Sequence, residues 1–169
     1  MRRKRCVTAS RSSRVRGWRL PWNAACLCGE VKMTVTAPPV LSAACHCRDC
    51  QKLTGGAYSL TLMLPETGFA VVSGAPVIGG LHRAELQHRF CPRCHNWLYT
   101  SGAVLPGFVN FRPTLLEDRS WIVPYFETKT AERMPGATTG AKIAYDHWPP
   151  PDDFGKLLEG YARDGARPA

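Results

Sequence analysis

Residues 91–94 read Cys91-Pro92-Arg93-Cys94, a spacing at which a short turn presents two thiols to one metal ion. A second pair, Cys26 and Cys28, lies 63 residues earlier (91 minus 28) and is followed by Gly29, which permits the positive φ of a tight turn. One ion bound by both pairs would join two distant parts of the chain. The four cysteines therefore predict a structural zinc site that holds together a β domain with non-local strand pairing.

Two alternatives stay open for these cysteines from their spacing alone. They can form two unrelated reduced pairs, or Cys91 and Cys94 can act as a redox pair. In a reducing compartment, closely spaced cysteines are metal ligands or redox groups more often than structural disulfides.

A third group, Cys45, Cys47 and Cys50, lies within six residues, so that one loop can present three sulfurs to one ion. The only other cysteine is Cys6, so seven grouped cysteines fall one short of two complete tetrahedral sites. We therefore predict one closed zinc site and one open site, whose free position takes water or substrate. The three cysteines are the candidate catalytic residues.

Positive charge next to this group favours its thiolates, because Arg48 and Lys52 follow within a few residues. Gly55 and Gly56 can let a ligand approach the loop closely. These four residues are the predicted co-substrate-binding residues. The alternatives are a second structural zinc completed by a histidine, or a metal-free dithiol with a redox role. His46 is expected to point away from the sulfurs and to support or pack against the loop.

Alternating apolar and polar residues indicate a mainly β fold, since a period of two is typical of half-buried strands. Glycine and proline turn signals separate the segments, and no stretch has a long helical period. Strands are predicted at 31–35, 60–64, 86–90, 97–100, 108–111 and 121–123, and short helices near 48–53 and 155–161.

The 169 residues are enough for one domain with its own core. The formal net charge is +9, but residues 1–19 contain eight of the 22 Arg and Lys and no acid. The rest has 14 bases (22 minus 8) against 13 acids, so no specific nucleic-acid binding is expected from the body.

This composition divides the chain into a basic leader at 1–20, expected to be disordered, a zinc-binding domain at 21–148 and a peripheral tail at 149–169. A mis-called start or a transit peptide are the other interpretations of the leader. No apolar stretch of about 20 residues is present for a membrane span, and a cytoplasmic protein is expected.

The cysteine groups, together with Thr54-Gly55-Gly56, Leu116-Glu117-Asp118 and Trp121, resemble the glutathione-dependent formaldehyde-activating enzyme family, which includes centromere protein V. The resemblance covers roughly residues 22–125. One departure is His95, where the family usually has glycine after the last motif cysteine.

The resemblance implies the Mss4-like "β-tent" fold, built of short antiparallel sheets held by zinc. It implies a structural zinc on Cys26, Cys28, Cys91 and Cys94 and a second, labile zinc on Cys45, Cys47 and Cys50. The implied activity joins formaldehyde to glutathione to give S-hydroxymethylglutathione, a carbon–sulfur lyase reaction in reverse. The partners are then a small-molecule thiol and a small aldehyde. A zinc-stabilised binding module or glutathione or metal carrier is the alternative function.

Overall fold

The computed structural model of the chain describes residues 13–15 and 17–169 and has a mainly β architecture. Its strands form an eight-stranded mixed sheet, a three-stranded antiparallel sheet and a two-stranded hairpin. The strands are β1 (Ser13–Val15), β2 (Trp18–Leu20), β3 (Trp22–Ala25), β4 (Lys32–Val35), β5 (Leu41–Cys45), β6 (Ser59–Pro65), β7 (Phe69–Ser73), β8 (Val77–Arg83), β9 (Leu86–Phe90), β10 (Trp97–Ser101), β11 (Phe108–Phe111), β12 (Phe126–Thr128) and β13 (Ile143–Tyr145). The α-helices are α1 (Arg48–Thr54) and α2 (Asp153–Asp164).

The large sheet has the strand order β13-β12-β5-β6-β11-β10-β9-β8. Its strands from β5 to β8 pair antiparallel, but β12 pairs parallel with both β5 and β13. The expectation of antiparallel sheets is therefore wrong at this edge. Long connections, residues 112–125 and 129–142, lead into β12 and β13, and only such connections allow parallel pairing.

The three-stranded sheet, in the order β3-β4-β7, covers one face of the large sheet. Val31, Met33 and Val35 are buried on its inner side, as their alternation predicts, and they share one core with Leu62 and Leu64 of β6. Successive residues of a strand point to opposite sides of the sheet. The β6 residues on either side of Leu62 and Leu64 therefore lie on the second face of the large sheet. That second face is only partly covered.

Helix α2 packs at the β5 side of the sheet and builds a smaller apolar cluster. Its Leu157 and Tyr161 are buried against Leu41, Tyr125 and Phe126. The C-terminal segment therefore contributes to a core, which a run of polar tail residues did not suggest. No helix in the described part of the chain is long and apolar enough to cross a membrane.

Trp18 and Leu20, at the end of the expected leader, are buried in the main core. The Trp18 ring meets the rings of Trp22 and Trp121 edge-on, at centroid distances of 5.5 and 5.4 Å. Disorder is thus wrong for residues 18–20, because two large apolar side chains there have a place to pack. Residues 1–12 and 16 lie outside the described residues, so the prediction for them stays a prediction.

Most predicted elements are confirmed as β4, β6, β9, β10, β11, α1 and α2. The strand predicted at 121–123 is wrong, because this segment is a turn at Trp121 followed by irregular chain. The Asp118 carboxylate accepts hydrogen bonds from the Ser120 N–H and hydroxyl at 3.0 and 2.7 Å, and Ile122 N–H donates to the Arg119 carbonyl at 3.2 Å. These local bonds replace a strand ladder.

We expect Trp18→Ala to lower the free energy of unfolding by about 3 to 5 kcal/mol, because it empties a site where the side chain is 3% exposed. The matched control is Trp148→Ala, at a tryptophan that is 62% exposed, which should stay within about 0.5 kcal/mol of wild type. Urea unfolding followed by circular dichroism measures both. A Trp18→Ala protein as stable as the control would contradict the packing of Trp18 in the core and would show that residues 18–20 belong to the disordered leader.

Candidate metal and thiol site

Cys26, Cys28, Cys91 and Cys94, called the four-cysteine cluster here, bring four sulfurs to within 4.8 Å of one another. The Sγ of Cys28 lies 3.5 Å from that of Cys26 and 3.7 Å from that of Cys91. A tetrahedral zinc with Zn–S bonds of about 2.3 Å needs sulfurs about 3.8 Å apart. The arrangement can hold a metal ion, and it joins the β3–β4 turn to the β9–β10 turn.

Backbone N–H groups turn toward the sulfurs of this cluster. The Val31 N–H donates to the Sγ of Cys26 at 3.2 Å. Burial alone would raise the pKa of Cys94, but N–H groups of Asn96 and Cys28 are directed at its sulfur and lower the pKa to about 6. The Glu30 N–H likewise lowers the pKa of Cys28, but burial and the neighbouring sulfurs raise it to about 12. Thiolates are the form that binds metal, so the N–H groups of the turns favour metal binding, and a metal ion would remove the repulsion between the sulfurs.

The residue after each cysteine pair adopts a left-handed backbone conformation. Gly29 has φ 77° and His95 has φ 56°. His95 N–H donates to the Cys91 carbonyl at 3.0 Å, which closes the turn. A side chain at this φ carries some strain that glycine would avoid. The turn itself is formed with histidine in place.

Cys45, Cys47 and Cys50, the three-cysteine cluster, also bring their sulfurs within 4.8 Å of one another. Cys45 ends β5, Cys47 caps α1, and Cys50 lies in the first turn of α1, where its N–H points at the Cys47 sulfur at 3.4 Å. Neighbouring chain segments thus supply all three thiols.

The three thiols share their protons unequally. Hydrogen bonds from the Cys45 and Cys50 thiols lower the pKa of Cys47, and the pKa of Cys45 is raised because its thiol is held protonated against Cys47. One thiolate is therefore stable in the cluster, whereas three adjacent thiolates repel one another. A divalent cation removes that repulsion.

A buried ionic network holds the loop between the cysteines. His46 is fully buried, and its Nε2 lies 3.0 Å from Oε2 of Glu127 on β12. Burial alone would raise the pKa of Glu127, but hydrogen bonds from Thr139 and His46 and the charge of Arg133 lower it. His46 is absent from both metal-ligand groups of the described chain, and this agrees with the prediction that it supports the loop.

Gln51 ties the start of α1 to the segment after β12. Its Nε2 donates to the His46 carbonyl at 2.6 Å and to the Glu132 carbonyl at 2.9 Å. The Arg48 N–H donates to the Glu132 carboxylate at 3.0 Å. The three-cysteine cluster is consequently fixed to β12 as well as to β5.

The partly covered face of the large sheet forms a cavity of about 1020 Å³ that is lined by all three cysteines of this cluster. Ladder pairing places the cavity residues in rows, because Cys45 is opposite Ser59, Ala43 is opposite Thr61, and Leu41 is opposite Met63. The thiol end of β5 is therefore polar, whereas its start is apolar.

Arg112 is the site residue that the sequence analysis missed. It follows β11, lines the cavity, and is only 6% exposed. Its guanidinium carbon lies 4.0 Å from the centroid of the Trp97 ring, and its Nη2 donates to the Asn110 carbonyl at 3.3 Å. Among the described residues, no acceptor meets its Nε or Nη1.

The three-cysteine cluster provides the negative charge that acts on Arg112. Burial lowers the pKa of Arg112 to about 10, while negative charge on the Cys50 and Cys45 sulfurs, present once a metal ion has replaced their protons, would raise it. Within the described chain no carboxylate forms an ion pair with it. No local sequence pattern predicts that an arginine after a β-strand lies near the cysteines. Arg112 approaches the three-cysteine cluster only because the strand order is β5-β6-β11.

The predicted co-substrate-binding residues are not all at the cavity. Arg48 lines it. Lys52 is exposed, and Gly55, with φ 62°, and Gly56 end α1; these three are outside the cavity lining. Gly55 therefore has a helix-capping role in the structure.

Comparison with known proteins identifies one family. A family model described as glutathione-dependent formaldehyde-activating enzyme matches residues 21–131, more than half of the chain. A crystal structure of a Rhodobacter sphaeroides protein matches with a TM-score of 0.48 and 16% identity, over 73% of this chain and 98% of that chain. No curated protein matches the chain significantly.

The two clusters should differ in their effect on stability. We expect Cys91→Ser to leave little folded protein, because structural zinc contributes about 10 to 16 kcal/mol in small zinc domains. The matched change Cys47→Ser should keep the fold and about one zinc per chain, because its cluster joins neighbouring segments. Metal analysis and thermal unfolding measure both. Equal losses in the two variants would contradict this division.

Arg112→Met should leave the free energy of unfolding unchanged within about 1 kcal/mol or raise it, because it removes a buried charge without a carboxylate partner. The same change should weaken zinc binding at the three-cysteine cluster by about tenfold, or ~1.4 kcal/mol of lost charge interaction. Chelator competition measures the affinity. Arg89→Met is the control, since Arg89 lies outside the cavity lining. Equal affinities in both variants would contradict the pairing.

Proposed function

The chain belongs to the glutathione-dependent formaldehyde-activating enzyme family, and from this premise we propose that it adds a thiol such as glutathione to formaldehyde or a related small aldehyde. The observation that supports the proposal is the incomplete set of three thiols inside a large cavity. A saturated four-thiolate site would leave no position for a substrate.

We propose zinc as the metal of both clusters, because four thiolates form a closed structural set and three leave one position free. Zinc bound to Cys45, Cys47 and Cys50 would take an incoming thiol at its free position and hold it as the thiolate. The residues of the chain would perform the remaining tasks. His46, through Glu127, keeps the loop in position, and the Arg112 cation offsets negative charge as thiolates accumulate.

In this reaction a carbon–sulfur bond forms between the thiol sulfur and the aldehyde carbon. The carbonyl π bond becomes a C–O single bond, and the thiol proton is transferred to that oxygen. No oxidant or reductant is needed. The cavity of about 1020 Å³ lies at the upper end of the usual range for ligand sites, so it has room for a tripeptide thiol together with an aldehyde. Holding both partners there would supply the gain from proximity.

The finer assignments belong to the same proposal. We assign the activity to the carbon–sulfur lyases, the fold to the Mss4-like "β-tent" type, and the location to the cytoplasm, where thiols stay reduced. The zinc-binding domain then spans residues 21–148, preceded by Trp18 to Leu20 and followed by α2. Arg48 is the predicted co-substrate-binding residue that lines the cavity, and it can meet a glutathione carboxylate.

We expect Cys47→Ser to lose glutathione binding and any acceleration of S-hydroxymethylglutathione formation above the uncatalysed rate. The reason is that two thiols are too few to hold the metal of the open site. NMR exchange spectroscopy with ¹³C-formaldehyde and glutathione measures the rate directly. Cys6→Ser, which changes the cysteine outside both clusters, should keep the wild-type rate.

Two results would contradict the proposal in different ways. Wild-type protein that binds glutathione without accelerating the reaction would be a carrier. A Cys47→Ser protein with wild-type binding and rate would show that the three-cysteine cluster takes no part in the chemistry.

A further inference from the structure

Apolar side chains make up most of the cavity away from the three sulfurs. Leu41 and Met63 lie opposite each other on β5 and β6, and both line the cavity, as does Phe108 at the start of β11. From Cys45 to Leu41 the strand rises by about 13 Å, at roughly 3.3 Å per residue. The apolar floor therefore begins beyond the polar Ser59 and Thr61, within about 13 Å of the thiols.

Three exposed apolar residues continue this floor to solvent, and we call them the apolar rim. They are Val104, Trp148 and Phe154, which are 57%, 62% and 37% exposed and all line the cavity. They come from the β10–β11 connection, the segment after β13 and the first turn of α2. Apolar residues from three separate segments around one cavity are typical of a ligand-binding site.

Glutathione does not match this lining. The tripeptide carries charged groups at both ends. Four cations line the cavity. Arg48, Arg112 and Lys129 lie near the cysteines, and Arg83 is exposed at the end of β8, so none of them belongs to the floor formed by Leu41, Met63 and Phe108. Burying a charged group on the apolar floor would cost free energy with nothing to offset it. The apolar floor therefore fits the other reactant.

We propose that the aldehyde of this site carries an apolar chain, which lies on the floor between Cys45 and Leu41 and leaves past the apolar rim. The inference rests on the proposed function for the reaction and adds the class of substrate: alkyl or arylalkyl aldehydes. The glutathione sulfur bonds to the aldehyde carbon, the carbonyl π bond becomes a C–O bond, and the thiol proton passes to that oxygen. Only the aldehyde substituent differs from formaldehyde.

Unreactive primary alcohols from 1-propanol to 1-octanol test the floor without any chemistry. Each buried methylene contributes about 0.8 kcal/mol, so affinity should rise about fourfold per added carbon. Isothermal titration calorimetry on the full-length zinc-loaded protein gives this slope. A flat series would overturn the proposal.

The rim variant Val104→Ser/Trp148→Ser/Phe154→Ser locates the binding. All three positions are exposed enough to change without emptying a core, and the variant should bind 1-octanol about tenfold more weakly than wild type does. The matched control is Val72→Ser, since Val72 is 61% exposed and lies outside the cavity lining. It should keep the wild-type affinity. Equal weakening in the rim variant and the control, or in neither, would overturn the proposal.

Rates with glutathione separate this inference from the proposed function. Octanal should exceed propanal in kcat/KM, and the rim variant should lose that preference while keeping its rate with formaldehyde. Acceleration with formaldehyde but without a preference for octanal overturns the apolar-aldehyde proposal and leaves the proposed function standing. No acceleration with any aldehyde overturns the proposed function, and the substrate assignment with it. A preference for 1-octanethiol with formaldehyde would show that the apolar floor binds the alkyl group of the thiol, and it would overturn the proposal as well.

Discussion

The approach of four thiols to within 4.8 Å of one another is the constraint on which the rest of the structure depends. It joins the β3–β4 turn to the β9–β10 turn, and hence the small sheet to the large one. Once the two sheets are held at this corner, Met33 and Leu62 can share one dry core. Bringing Cys28 next to Cys91 closes a loop of 63 residues (91 minus 28), which costs conformational entropy. Metal-free sulfurs 3.5 Å apart attract each other too weakly to offset that cost. A metal that binds all four sulfurs would offset that cost in one step.

Covering one face of the large sheet leaves the other face available for chemistry. Because strand side chains alternate, the same strands that bury Leu62 and Phe111 in the core present Thr61 and Asn110 to the cavity. The parallel strand β12 adds Glu127, which fixes His46 and so the cysteine loop. Helix α2, near the C-terminal end of the sequence, packs against this edge of the sheet. The site therefore draws on an antiparallel part, a parallel part and a helix, although its three sulfurs lie within six residues of sequence.

Local sequence patterns predicted the parts of this architecture that are encoded locally. Strict alternation of apolar and polar residues predicted β4, because successive side chains of a pleated strand point to opposite sides. Cysteine spacing predicted both clusters, because thiols that bind one metal ion from one turn lie only a few residues apart. The sequence signal failed where a non-local contact decides the outcome. Trp18 is buried because Trp121 is next to it, although the surrounding residues are strongly basic. Similarly, Arg112 becomes part of the site only through the order β5-β6-β11, and no local pattern specifies strand order.

Charge and polarity in the cavity favour a reactive thiolate only in combination. An apolar floor raises the cost of any charge placed on it, so it disfavours thiolates when it acts alone. A buried cation such as Arg112 reverses that preference near the sulfurs, because electrostatic attraction is stronger where water is excluded. In the proposed reaction, exclusion of water would also protect the hemithioacetal carbon. An open, fully hydrated loop with three cysteines would bind metal but would gain neither effect, and this is why the proposed catalytic function depends on the cavity as well as on the cysteine motif.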